Sequence, residues 1–194
     1  KDDEEMDKKV YSPFEIHNCA IKFNDDEEAS RIGCMGSLEE TADMSVITKK
    51  CEGIEETVST RPKGTGEVKM TLHIRWEHYV RIFGMKFEEL KKGVYAYGKN
   101  SRHEEFCFTG DVTNEYDEKL LKAYPRMMVT DGKALKITNG EEEVAEMELN
   151  AKFMPDDYGM GTYEAMVSEL GESETLQTTW NENFNATGLY VPKA

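Results

Sequence analysis

The stretch Arg61-Pro62-Lys63-Gly64-Thr65-Gly66 sets two glycines beside two cations. Phosphate-binding loops use that composition: backbone N–H groups close on the anion and a lysine meets its charge. The spacing does not fit that chemistry. A P-loop has four residues between its glycines, then Lys and Ser or Thr at the head of a helix. Here the lysine comes first and one residue separates the glycines. The residues after Gly66 alternate like a strand, with Val68, Met70, Leu72 and Ile74 on one face and Lys69, Thr71, His73 and Arg75 on the other. The dinucleotide fingerprint fails as well, since it needs a strand before the glycines and a helix after them. The segment reads as a turn feeding a strand.

The other reactive side chains are scattered. His17, His73, His78 and His103 form no ligand pair: His73 and His78 are separated by four residues, not the three that align two ligands on one helical face. His103 and Cys107 straddle a strand with an uneven offset, so the spacing gives no structural zinc site. No G-x-S-x-G elbow is present. A Cys–His pair formed in space stays open at this point, although Cys19 and Cys107 lie in apolar-flanked segments that suit buried thiols. The acidic runs Asp25-Asp26-Glu27-Glu28, Glu141-Glu142-Glu143 and Asp156-Asp157 read as solvated charge. General acid–base work needs carboxylates whose pKa values burial has pushed apart. "NDDEE" also lacks the Gly at six and Glu at twelve of an EF-hand. No catalytic, cofactor-binding or metal-ligating residue is expected, and the chain is not expected to be an enzyme.

A chain of 194 residues suits one domain, here taken as 1–194. Its 38% apolar and 10% aromatic content can fill a core. The net charge of −15 repels a nucleic-acid backbone and excludes sequence-specific duplex binding, which needs dense cation contacts. Cys19, Cys34, Cys51 and Cys107 lie far apart with no C-x-x-C pair, so reduced thiols in a cytoplasmic setting are expected. No apolar run approaches the roughly 18 residues of a membrane span, and the start lacks the apolar segment of a signal peptide.

The elements that must position these residues are mostly strands. Residues 1–12 begin with a charged, aperiodic run and read as a mobile arm. His17, Cys19, Ile21 and Phe23 alternate as in a strand. "DMSVITKKC" and "EGIEETVST" suggest further strand, with residues 61–66 connecting them to the strand after Gly66. Tyr79, Ile82, Phe83, Lys86 and Leu90 then switch to helical spacing, predicting a helix over 77–92 broken near Gly84 and stopped by Gly93. "GVYAYGKNS", "HEEFCFTGDV" and "YPRMMVTDG" read as short strands. Asn139-Gly140 predicts a type I′ hairpin turn, after which Ala145, Met147, Leu149, Ala151 and Phe153 alternate with polar residues. "TYEAMVSEL" reads as a short strand or helical turn, and residues 171–194 as a polar arm anchored by Trp180, Phe184 and Tyr190. The sum is a mainly β domain, an antiparallel β-sandwich or barrel with one flanking helix and extended arms.

On the segments "GTGEVKMTLHIRWEHYVRIFGM", "GVYAYGKNSRHEEF" and "EEVAEMELNAKFMPDDYGMGTYEA", over about residues 40–185, the chain resembles the major tail (tail tube) proteins of long-tailed bacteriophages. The resemblance implies two packed antiparallel sheets closing toward a barrel, and assembly as stacked hexameric rings around the channel for genome delivery. It implies an extended hairpin over about 44–70, with its turn near 50–66, contacting neighbouring rings. Candidate inter-subunit contacts are then Lys49, Lys50, Arg61 and Lys63. The implied partners are further copies of the chain and other tail proteins (tape measure, tail terminator, distal tail). The implied location is the virion tail, with host cytoplasm during assembly, and the tail would be flexible and non-contractile. DNA would pass without sequence-specific binding, since a lumen poor in cations offers little counterion release. The residues also allow a monomeric β-sandwich module binding a ligand or carbohydrate, and a cysteine- or metal-dependent enzyme.

Overall fold

Eight strands run in one antiparallel sheet, in the order β2-β1-β5-β6-β7-β4-β3, with β8 beside β6. The structure is a computed structural model and describes residues 11–140, 144–171 and 174–191; the N-terminal arm expected over 1–12 therefore lies almost wholly outside the described residues. The strands are β1 (Pro13–Phe23), β2 (Ser30–Arg31), β3 (Gly33–Cys51), β4 (Ile54–Ile74), β5 (Phe106–Asn114), β6 (Lys119–Val129), β7 (Met147–Phe153) and β8 (Tyr163–Met166). The helices are α1 (Trp76–Ile82) and α2 (Glu174–Glu182). The fold class is as the sequence predicts: mainly β, antiparallel, with a flanking helix.

Ile32 draws the ends of the sheet together. Its N–H donates to the Cys19 carbonyl of β1 at 3.1 Å, and its carbonyl accepts from Arg75 N–H, just past β4, at 3.0 Å. The ring of strands is thereby tied at one point. Elsewhere β1 and β3 are not paired.

The core forms inside this ring. Val68, Met70 and Leu72 of β4 face inward with Leu149, Ala151 and Phe153 of β7 and with Phe106, Phe108, Tyr124, Met127 and Val129 of β5 and β6. Period two in β4 and β7 was legible because each has one wet face. In β6 a bulge interrupts it: Phe106 pairs with Met127 and Phe108 with Tyr124, so the stretch around Pro125 carries an extra residue. β1 is interrupted too, with a register shift between His17 and Ala20 and Asn18 at φ 52°. The inward line therefore resumes at Cys19, Ile21 and Phe23 while His17 stays exposed.

α1 buries His78, Tyr79, Val80 and Ile82 against this core. It is shorter than the helix expected over 77–92. The chain leaves helical geometry at Gly84, where φ is +57° and an added Cβ would lie 2.1 Å from the Arg102 carbonyl oxygen. Only glycine permits that close crossing. Beyond it, "GVYAYGKNS" forms no strand and stays exposed.

A second, smaller core lies on the outer face of β6. Leu121 and Ala123 pack there with Trp180 of α2, with Leu176 and Phe184 alongside. Trp180 Nε1–H donates to the Lys122 carbonyl at 3.1 Å, which satisfies the indole as it is buried. Of the anchors named from sequence, Trp180 lies on this docked helix, Phe184 follows it and packs on Trp180, and Tyr190 stacks on Tyr158 beyond a 3₁₀ turn at Ala186–Leu189. "TYEAMVSEL" supplies both of its predicted forms, β8 and then a 3₁₀ turn at Val167–Glu169.

Asn139-Gly140 does not make the expected hairpin. Gly140 has φ +82°, but Asn139 is not among the residues with positive φ, so the type I′ geometry is absent. Residues 133–138 form no strand, and residues 141–143 fall outside those described. The tight turn with two successive positive φ values is instead at Glu52-Gly53, at 52° and 83°.

Candidate assembly surfaces

That turn makes β3 and β4, of 19 and 21 residues, one long hairpin. Its ladder runs from Gly33↔Ile74 to Cys51↔Ile54. The turn expected near 50–66 falls at the start of that range, at Glu52-Gly53; the rest of the range is strand, and Gly64-Thr65-Gly66 is not a turn between strands. It is a bulge within β4: Ala42 pairs with Gly66 and Met44 with Pro62, so Lys63, Gly64 and Thr65 stand opposite Asp43 alone. Gly64 takes φ +74° to make the bend, and Thr65 Oγ1–H donates to Asp43 Oδ2 at 2.8 Å across it. The absent N–H of Pro62 is tolerated because β4 pairs with β7 only over Gly66–Leu72 and has a free edge beyond.

Past this bulge the hairpin is a two-stranded ribbon with no third strand among the described residues. The inward-facing line of the barrel continues into it by register. Val68, Met70 and Leu72 lie on the face that becomes Met44, Val46, Val58 and Pro62. In the barrel that face is buried; in the ribbon Val46 is 62% and Val58 59% exposed, and Ile54 stands exposed beside the tip. An isolated hairpin is marginal in water. This ribbon presents its apolar face and both strand edges to solvent.

The predicted contact residues all lie on it. Lys49 and Lys50 are on β3 near the turn, and Arg61 and Lys63 on β4 near the bulge, all exposed. Register sets Arg61 across from Ser45 on the opposite face to Val46, so the cations are not gathered into one cluster. Residues 44–63 carry these four cations against Glu52, Glu55 and Glu56, while the chain as a whole carries −15.

The second surface is a cleft of ≈ 750 Å³ between the first residues of β1 and the segment of β3 that faces them. Ile16, Met35, Leu38 and Leu120 line it, with Phe14 at the rim. At one side Lys122, 12% exposed, meets Glu40 at 2.6 Å and Glu164 at 2.5 Å. The buried phenol of Tyr124 donates to the same Glu40 oxygen at 2.5 Å. Burial opposes the Lys122 charge, but Glu164 and Glu40 outweigh it and hold the ammonium above the ordinary lysine range. Burial first, then Glu40, push the Tyr124 phenol up as well. The group is an ionic clasp in which one cation is shared by two carboxylates, so it stays net acidic. No sequence signal marked Glu40, Lys122 and Glu164 as neighbours, since they come from three strands.

Most of the residues weighed for chemistry remain apart. Among the described residues no group of three or more His, Cys, Asp or Glu is placed to hold a metal ion. His17 bonds Glu15, His78 is buried beside Ser30, and His103 bonds the Val129 carbonyl. Burial pushes the Cys19 and Cys107 thiols up to about 12, which keeps them protonated near neutral pH. Cys34 and His73 stand opposite each other across β3 and β4, both exposed.

No family model matches the chain, and no curated protein matches it. Among solved structures, the chain is similar to the cap of the anti-feeding prophage, its tube-terminating cap seen by cryo-electron microscopy. The TM-score is 0.40 and the identity 9%, covering 82% of this chain and 95% of that one, a likeness too distant to carry an argument.

Proposed function

We propose that this chain is a structural subunit of a long-tailed bacteriophage tail that polymerises as stacked hexameric rings into the tail tube. It does no chemistry; its product is a conduit, through which DNA passes without being read. One observation carries the proposal. The β3–β4 hairpin leaves the barrel as a ribbon whose apolar face is built like core and is left uncovered by the described residues of the subunit. Such a face is a liability in a monomer and an interface in a polymer. The resemblance of the 40–185 segments to tail tube proteins supplies the ring number and the natural partners, the tape measure, terminator and distal tail proteins. With those partners the subunit belongs to the virion tail after assembly in the host cytoplasm.

A closed ring from one kind of subunit requires a head-to-tail contact whose rotation closes. Negative-stain electron microscopy of the concentrated protein tests this directly. Hollow rings or tubes of uniform width are expected. A protein that stays monomeric at every concentration, and is not recruited to tubes by the other tail proteins, overturns the proposal.

A further inference from the structure

The open side of the barrel presents two strand edges to each other, with no strand between them among the described residues. Pro13–His17 of β1 pairs only with β5, and Met35–Glu40 of β3 only with β4. The cleft of ≈ 750 Å³ separates them. Each edge offers unpaired N–H and C=O groups, which an added strand would satisfy. The floor is apolar, through Ile16, Met35, Leu38 and Leu120, and Phe14 at the rim is 70% exposed. The charge around it is acidic: Glu15, Glu40 and Glu164 stand against Lys122 and His17. An occupant must therefore be extended, apolar at alternate positions and cationic.

The ribbon of this same chain has all three properties. Its outer edges are free, Met44, Val46 and Val58 share one face, and Lys50 near the tip with Arg61 and Lys63 near the bulge make it cationic. It cannot fold back into its own cleft, because β3 is one strand that lines the cleft at Met35 and forms the ribbon at Val46. At about 3.3 Å per residue the ribbon is already some 35 Å away along that strand.

We propose that the cleft between β1 and β3 receives the 44–62 ribbon of a second copy. The ribbon adds its edge to β1 and lays Met44, Val46 and Val58 on the Ile16–Leu38 floor. Its cations meet the acidic rim, and the Lys122 clasp keeps the floor from being pried open as the ribbon enters. Donor and acceptor surfaces differ, so each copy gives a ribbon and takes one. The contact is head-to-tail and propagates. The inference rests on the assembly reading above and names the acceptor for it.

Two full-length variants separate donor from acceptor. Val46→Asp with Val58→Asp spoils the ribbon and leaves the cleft intact; Phe14→Lys with Glu15→Lys spoils the cleft rim and leaves the ribbon intact. All four positions are exposed, so native folding is expected and is checked by near-ultraviolet circular dichroism. In sedimentation velocity the wild-type chain is expected to polymerise, and Leu135→Lys, an exposed site that belongs to neither the cleft lining nor the ribbon, to polymerise like it. Each double variant alone is expected to remain monomeric. An equimolar mixture of the two is expected to give a heterodimer and nothing larger, because only one productive ribbon–cleft pair can form. The proposal is overturned if the cleft variant polymerises like wild type, or if the mixture stays monomeric while wild type polymerises. A wild-type chain that never polymerises removes the assembly reading itself, and this inference with it.

Discussion

One pair of strands lives in two environments. Near its root, the β3–β4 ladder is the wall of a barrel: β4 has β7 on its other side, and Val68, Met70 and Leu72 are buried. Past the Lys63–Gly64–Thr65 bulge the same strands, in the same antiparallel pairing, have no neighbouring strand among the described residues and bury nothing comparable. The backbone hydrogen bonds are alike in both halves. The difference lies in what the side chains touch, so the root stabilises the fold and the ribbon adds little to it. Local opening should divide the same way, with backbone amides of the ribbon exchanging far faster than those of the root.

The largest effect expected is the one that separates the halves by packing. Leu72→Ala removes a side chain with no exposure from the centre of the core and should cost about 2–5 kcal/mol of monomer stability. Val46→Ala, on the same face by register, should change monomer stability by less than about 0.5 kcal/mol. Urea unfolding of both variants at a concentration that keeps them monomeric measures the pair. Equal losses would mean that the ribbon is packed in the free subunit, and the division between halves would fail.

Much of this ladder was legible in the sequence, but not its length. The strand after Gly66 declares itself because β4 there alternates core against solvent. The ribbon does not, because neither face is buried and alternation has no force to enforce it. Pro62 and the two glycines look like a turn, whereas here a free edge admits the proline and a bulge uses Gly64. The real turn at Glu52-Gly53 was hidden by a glutamate in a conformation that favours Asn, Asp or Gly. The helix fared similarly: its 77–82 face is core, but the later Lys86 and Leu90 kept helical spacing without a helix, since Gly84 is needed where the chain crosses Arg102. The four cations were legible as exposed charge on the hairpin. The acceptor cleft was not, because its residues are drawn from β1, β3, β5, β6 and β8 and meet only through the sheet order.

Glycines sharpen the contrast at a smaller scale. A Cβ on Gly66 would stand 2.4 Å from both the Phe153 ring and the Thr41 carbonyl oxygen, where the root of the ladder packs against β7. Gly66→Ala should therefore cost about 1–3 kcal/mol, through displaced backbone and aromatic packing. Gly53→Ala at the ribbon tip meets nothing within 4 Å, and only its φ of +83° resists the change. Its cost should be about 1–2 kcal/mol, set by the left-handed conformation alone. Thermal melts distinguish the two if a second substitution, Phe153→Leu, relieves part of the Gly66→Ala penalty and none of the Gly53→Ala penalty.

Acid should loosen the root before the ribbon. His78 comes soon after β4 and is buried; its Nε2–H donates to the Arg31 carbonyl at 3.0 Å, beside the Ile32 tie that closes the ring. Burial lowers its pKa, outweighing the Arg31 carbonyl and the nearby Glu77 and Asp26 charges, which favour the proton. The unfolded chain then takes up that proton first. The stability contribution is fully present above the unfolded value of about 6.5 and falls as pH drops below it, by at most about 1.4 kcal/mol per pH unit. His78→Gln should flatten the stability profile between about pH 6.5 and the range where carboxylates begin to titrate. An unchanged slope would assign the acid sensitivity elsewhere, with the Arg81 contacts to Asp26 and Glu104 the next place to look.

The smallest effect on the fold should accompany a large effect on assembly. Lys50, Arg61 and Lys63 are exposed on a ribbon that pairs with no other strand of the described subunit, so reversing all three to Glu should leave monomer stability within about 0.5 kcal/mol. In the proposed polymer the same side chains would meet an acidic neighbour, and reversal would place like charges across the contact. The wild-type assembly should weaken as salt rises, because partly exposed pairs are screened over about 8 Å at physiological ionic strength. The triple variant should assemble poorly at low salt and recover somewhat as salt increases, the opposite trend. Light scattering across a salt series reads both slopes. A variant that keeps the wild-type slope would mean that the ribbon joins its partner through the apolar face alone, with the cations left in solvent.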